Sequence, residues 1–154
     1  MDKIETVIFD TNSILRLRDF PEDIFIKLWK DIESLTLYLP EEAQNEVKNY
    51  DKTMRKFFGL SNVRIISLSK FQSKKVTEIL EKFPDLYEDR RFEADPFVIA
   101  LALEKKEENH DSNIIVVSEE KEEYNEHKVP SACKEFKLEC MRLVDFIRYK
   151  KWVY

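Results

Sequence analysis

Glycine is nearly absent: Gly59 is the one glycine in 154 residues. Neither a G-x-G-x-x-G turn nor a P-loop can be written with a single glycine, so enzymes that cradle nucleotide phosphates on such loops are excluded. Cysteine is scarce too. Cys133 and Cys140 can form neither a disulfide framework nor a metal-binding quartet, and they read as small core hydrophobes. Long apolar runs are missing, none approaching the ~18 residues of a membrane span. The first residues, Met1-Asp2-Lys3-Ile4-Glu5, lack the basic-then-apolar pattern of a signal peptide. The expectation is a soluble protein of a reducing cytoplasm with no membrane partner.

What is present supports a packed core. Hydrophobic residues make up 43%, with 11 Phe and 6 Tyr, enough for a single domain over residues 1–154. Charged residues make up 37% with a net charge of −5, which argues against a broadly basic surface. That balance leaves room for a local basic stripe beside an acidic pocket.

The stretch Thr6-Val7-Ile8-Phe9-Asp10-Thr11-Asn12-Ser13 organises the rest. Val7, Ile8 and Phe9 form a continuous apolar run, the pattern of a strand buried on both faces. Asp10 then lies at the carboxyl end of that strand, where open parallel sheets place their ligands. Thr11, Asn12 and Ser13 can each cap the helix that Ile14-Leu15 begins. The alternative role for Asp10 is to order this strand-to-helix turn and nothing more.

Downstream, Pro21 opens a helix with Ile24, Phe25, Leu28, Trp29 and Ile32 on one face. Leu37-Tyr38-Leu39 reads as a short strand, Glu41 to about Phe58 as one helix, and Val63 to Leu68 as an edge strand. A further amphipathic helix turns Val76, Ile79, Leu80 and Phe83 inward. A charged loop over 84–93 leads to Ala94-Asp95-Pro96, with Asp95 at the cap position of a helix apolar nearly all round. Such a helix belongs against a sheet. Ile114 to Val117 is a second continuous strand, closed by Ser118-Glu119-Glu120. A polar loop over 122–128, a short helix around Ala132 to Phe136, a strand over Leu138 to Met141 and a helix over Leu143 to Tyr149 complete the chain. Strands alternating with helices predict an α/β fold of three layers, α/β/α, around a mostly parallel sheet.

The strand-end rule sorts the acids. Asp10 and the Glu119/Glu120 pair follow the two most clearly buried strands and so share the carboxyl edge. Asp95 starts the buried helix that leads into the second of those strands, and Glu46 reaches the same edge from the side. Each has a plainer role available: Asp95 as a helix cap, the three glutamates as solvated acids. Carboxylates gathered at one edge repel one another unless a cation neutralises them. Oxygen-only ligation suits Mg²⁺ or Mn²⁺ rather than zinc.

These residues carry a family resemblance. Val7-Ile8-Phe9-Asp10-Thr11-Asn12 resembles the first motif of PIN-domain nucleases, an apolar run, Asp, Thr or Ser, then Asn. Pro40-Glu41-Glu42-Ala43-Gln44-Asn45-Glu46-Val47 is similar to the second, with Glu46 as the helix acid. Ala94 to Ala102 is similar to the third, with Asp95 as a metal ligand. Ile114 to Glu120 matches the fourth with two departures, Ser118 for Thr and Glu120 for Asp. The resemblance covers nearly the whole chain in the right order. It implies metal-dependent hydrolysis of RNA phosphodiester bonds, leaving 5′-phosphate and 3′-hydroxyl ends. Asp10 and Asp95 would hold Mg²⁺ or Mn²⁺, Glu46 with Glu119 or Glu120 would complete the site, and Asn12 and Ser118 would support it. PIN proteins of this length resemble the toxins of toxin–antitoxin pairs, which implies an antitoxin and a homodimer as candidate partners.

Basic residues that could meet an RNA backbone include Lys48, Lys52, Arg55 and Lys56, and Arg90 with Arg91 beside the Asp95 turn, against a plainer role on solvated surfaces. His110 and His127 lie in charged segments, which argues against a histidine-based ribonuclease. Phe9-Asp10-Thr11-Asn12 also resembles the nucleophile motif of haloacid-dehalogenase-like phosphatases, but that family needs a second Asp where Asn12 stands. A PIN-like binding module without catalysis is the other alternative. The aromatic tail from Tyr149 to Tyr154 serves either an interface or its own sheet.

Overall fold

The computed structural model describes residues 5–84, 94–119 and 129–154. Its strands are β1 (Glu5–Phe9), β2 (Leu37–Pro40), β3 (Val63–Ile66), β4 (Asn113–Val117) and β5 (Glu139–Met141). Its α-helices are α1 (Thr11–Arg16), α2 (Glu22–Ile32), α3 (Glu41–Tyr50), α4 (Arg55–Phe58), α5 (Lys70–Lys82), α6 (Asp95–Glu108), α7 (Val129–Glu135) and α8 (Leu143–Tyr149). The strands form one sheet in the order β3-β2-β1-β4-β5, and every pairing is parallel. The expected three-layer α/β/α fold is what the chain adopts, with a sheet parallel throughout.

Strand alternation divides the core into two layers. Val7, Phe9, Leu37, Leu39, Ile115 and Val117 face one side, against residues of α1, α2, α3, α4 and α8. Ile8, Ile114 and Val116 face the other, against α5, α6 and α7. The first layer is aromatic: Phe9 lies 6.3 Å from Phe57 and 6.1 Å, edge-on, from Phe146. The second is built on α6, whose Val98, Ile99, Ala100, Leu101 and Ala102 are all fully buried. That burial explains why α6 has no polar face: α5 and α7 pack on it as well as the sheet.

Two local expectations change, and the tail takes one of the two roles open to it. The helix expected over Glu41 to Phe58 ends at Tyr50, because Asp51 takes an extended conformation (φ −150°, ψ 102°) and starts a 3₁₀ turn, Lys52–Met54, before α4. Asp51 accepts from Thr53 N–H at 2.9 Å and from Arg18 at 2.8 Å, bonds that compensate for the lost helical ones. Asp95 is not the cap of α6 but its first residue; Ala94 holds the cap position. The tail folds back on the protein: Trp152 meets Phe146 edge-on at 5.7 Å, and Tyr154 donates to Asp31 at 2.6 Å. No helix among the described residues is long and apolar enough to cross a membrane.

The chain runs from β1 outward to β2 and β3, then returns to β4 on the other side of β1. The strand order therefore reverses between β1 and β4, a switch point at whose carboxyl ends open parallel sheets place their ligands.

Candidate metal centre at the carboxyl edge

Asp10 stands at this switch point and is only 1% exposed. Its backbone N–H donates to the carbonyl of Val117 at 3.0 Å, and the Ser13 hydroxyl donates to the same carbonyl at 2.8 Å. These bonds tie the ends of β1 and β4 together. Asp10 is also the cap of α1: it is extended (φ −80°, ψ 173°), and its Oδ1 accepts from Ser13 N–H at 2.8 Å. The cap role expected of Thr11, Asn12 or Ser13 belongs to the acid itself. Ordering the turn thus engages Oδ1 and aims a buried carboxylate along the edge. Asn12 follows, half-buried in the first turn of α1.

Glu46 joins two of the expected acids. Its Oε2 accepts from the Thr11 hydroxyl at 2.9 Å, and its Oε1 accepts from the backbone N–H of Ala94. Thr11 is the residue after Asp10, and Ala94 is the residue before Asp95. One half-buried carboxylate on α3 therefore holds the start of α1 beside the start of α6. Asp95 is 5% exposed in the first turn of α6, where the helix dipole favours negative charge. Burying Asp10 and Asp95 this deeply is costly unless hydrogen bonds or a cation hold their charge.

Glu42 was within a recognised motif but was not singled out. It precedes Glu46 by one helical turn, so the two stack on one face of α3, and this i, i+4 spacing was the signal available. Burial pushes the Glu42 carboxyl above its ordinary range, a backbone N–H pulls it down, and Glu41 raises it further. Its Oε2 is buried with no hydrogen-bond partner among the described residues.

Ser118 is 1% exposed, and its N–H donates to Met141, bringing the end of β5 to the end of β4. Glu119 accepts from the backbone N–H of Leu143 at 2.8 Å, at the start of α8. Its carboxylate also stands 3.8 Å from Arg16 Nε and 3.9 Å from an Arg142 nitrogen. Sequence reasoning missed both arginines, although the strand-end rule that found Asp10 also points at Arg142, the residue after β5. Glu120, Arg90, Arg91, His127 and nearly all of the 84–93 and 122–128 loops lie outside the described residues. Lys52, Arg55 and Lys56 are exposed and Lys48 is half-buried, along α3, the 3₁₀ turn after it and α4. Lys56 also borders a cavity of about 630 Å³ lined by Phe20, Phe25, Trp29 and Met54, whose lining includes none of Asp10, Glu46, Asp95 or Glu119.

A hard cation suits these donors chemically, since Asp10, Asp95 and Glu46 offer carboxylate oxygens alone. Among the described residues no three acidic, histidine or cysteine side chains converge as a ready-made metal cage. Mg²⁺ does not require one: it is usually held by one or two carboxylates, with water and substrate phosphate completing the shell.

A family model described as "Domain of unknown function (DUF4411)" matches residues 7–154. The chain belongs to the DUF4411 family. Among solved structures, this DUF4411 chain is similar to one titled "Toxin-antitoxin complex from Klebsiella pneumoniae", at 16% identity and a TM-score of 0.49 over 74% of this chain and 86% of that one. No curated protein matches it.

Proposed function

We propose that this DUF4411 protein is a metal-dependent endoribonuclease acting in the cytoplasm. The observation that carries the reading is the Glu46 bridge, which sets the buried Asp10 and Asp95 at neighbouring helix starts on the carboxyl edge. Asp10 and Asp95 would hold Mg²⁺ or Mn²⁺, with Glu46 orienting them and Glu119 or Glu120 reaching the ion directly or through water. When bound, the ion lowers the pKa of a coordinated water and neutralises charge on the phosphate. Thr11 fixes the Glu46 carboxylate, the cap bond fixes Oδ1 of Asp10, and Ser118 supports the turn that carries Glu119. Asn12 is available to the phosphate from the first turn of α1. The PIN resemblance adds a toxin role, with an antitoxin and a second copy as candidate protein partners.

The experiment is cleavage of single-stranded RNA by the purified protein. Cleavage with Mg²⁺ or Mn²⁺, stopped by EDTA and absent in folded Asp10→Asn and Asp95→Asn, is the expected result. Full activity in either variant overturns the site. A second reading, a binding module without catalysis, draws on the lack of a ready-made cage among the described residues. It predicts RNA binding with no Mn²⁺ uptake in calorimetry.

A further inference from the structure

Along the carboxyl edge the acids over β1 and β2 give way to a basic pair over β4 and β5. Arg16 ends α1, and Arg142 directly follows β5, so two separate elements bring guanidinium groups to one place. Glu119 stands between them at 3.8 and 3.9 Å, while Leu143 N–H anchors its carboxylate at 2.8 Å. Those two ion-pair separations exceed hydrogen-bond length, so Glu119 aligns the guanidinium groups without consuming their donors. The Arg16 guanidinium also donates to Asp19 at 3.1 Å and lies 5.6 Å from the Phe20 ring, contacts that tie it to the turn just after α1. Each arginine carries five N–H donors, and the side chains remain 41% and 45% exposed. Exposed, prealigned guanidinium pairs suit a phosphodiester, whose two unesterified oxygens accept bidentate bonds.

We infer that Arg16 and Arg142, aligned by Glu119, form an anchor for a backbone phosphate of the RNA. This inference rests on the nuclease reading and gives the strand a path. Arg142 at the end of β5 lies two strand spacings from Asp10 at the end of β1, about 10 Å. The anchor therefore lies within a few nucleotides of a phosphate held at Asp10. The strand therefore crosses the edge from β1 toward β5. An acidic protein segment would satisfy the same donors, but the shared edge with Asp10 favours nucleic acid.

The test is fluorescence anisotropy of a labelled single-stranded RNA in EDTA, across a KCl series, with the full chain. The Arg16→Ala/Arg142→Ala protein should bind about tenfold more weakly, and its log K against log salt should flatten by about 0.7, for one phosphate contact. Arg142→Ala alone should lose about half of that slope, which covers a double variant that folds poorly. Arg148→Ala, which removes an arginine from α8, should bind as the wild type does. Wild-type affinity and slope in the folded double variant overturn the anchor, as does loss of polyglutamate binding with RNA binding intact. The two readings fail separately. A wild type that cleaves RNA while the double variant binds normally defeats the anchor alone. A wild type that binds RNA through these arginines yet leaves it uncleaved with Mg²⁺ or Mn²⁺ defeats the nuclease alone.

Discussion

Glu46 and Glu119 each turn a carboxylate onto a backbone N–H at the start of a helix, Ala94 before α6 and Leu143 in α8. Their surroundings differ. Glu46 takes its second bond from the neutral hydroxyl of Thr11, between the elements carrying the buried Asp10 and Asp95. Glu119 stands between two guanidinium groups. The same side chain performing the same local task thus belongs to an acidic half of the edge in one case and a basic half in the other. The neighbours, not the residue type, decide whether such a glutamate is suited to a cation or already faces one.

The largest expected effect breaks the acidic half. Asp10→Asn and Asp95→Asn should each lower metal-dependent RNA cleavage by on the order of 100-fold or more, the rate equivalent of ~3 kcal/mol of lost charge stabilisation. Circular dichroism should show both variants folded. Next comes the direct contrast. Glu46→Gln should weaken Mn²⁺ binding about tenfold or more in calorimetry, while Glu119→Gln should weaken it less and alter RNA affinity as well. Equal effects of the two substitutions on Mn²⁺ would erase the distinction.

Smaller effects sharpen the comparison. Thr11→Val removes the hydroxyl that Glu46 accepts from and should cost about 1–2 kcal/mol in chemical denaturation. The smallest lies outside both halves, at Asp51. Its pKa is lowered to about 2, first by the Thr53 hydroxyl and then by Arg18 and the Thr53 N–H. A pKa depressed in the folded protein stabilises above the unfolded value, near ~4. The contribution fades as pH falls through about 2. A carboxyl NMR titration of Asp51 with a midpoint near ~4 would remove it.

Much of the architecture was legible because burial leaves a periodic trace. Val7 to Phe9 and Ile114 to Val117 read as strands covered on both faces, and they pair directly in register as β1 and β4. The helix break at Asp51 was not legible, since the apolar spacing of Val47, Met54 and Phe57 continues across it. Side-chain bonds from Thr53 and Arg18 outweigh that spacing. Glu42 was hidden among neighbouring acids, and nothing local to Arg16 indicates that it meets a residue more than a hundred positions away.

By itself, then, the sequence determined the layers of the fold and the strand end that carries Asp10, because apolar period and helix-start chemistry are properties of neighbouring residues. Tertiary structure decided which acids meet. Thr11, Glu46 and Ala94 come from three separated segments, as do Arg16, Glu119 and Arg142, and only the reversal of strand order between β1 and β4 brings each set to one edge. Hydrogen bonds and charge act over a few ångströms, so the partner of a carboxylate is chosen by the fold rather than by its place in the chain.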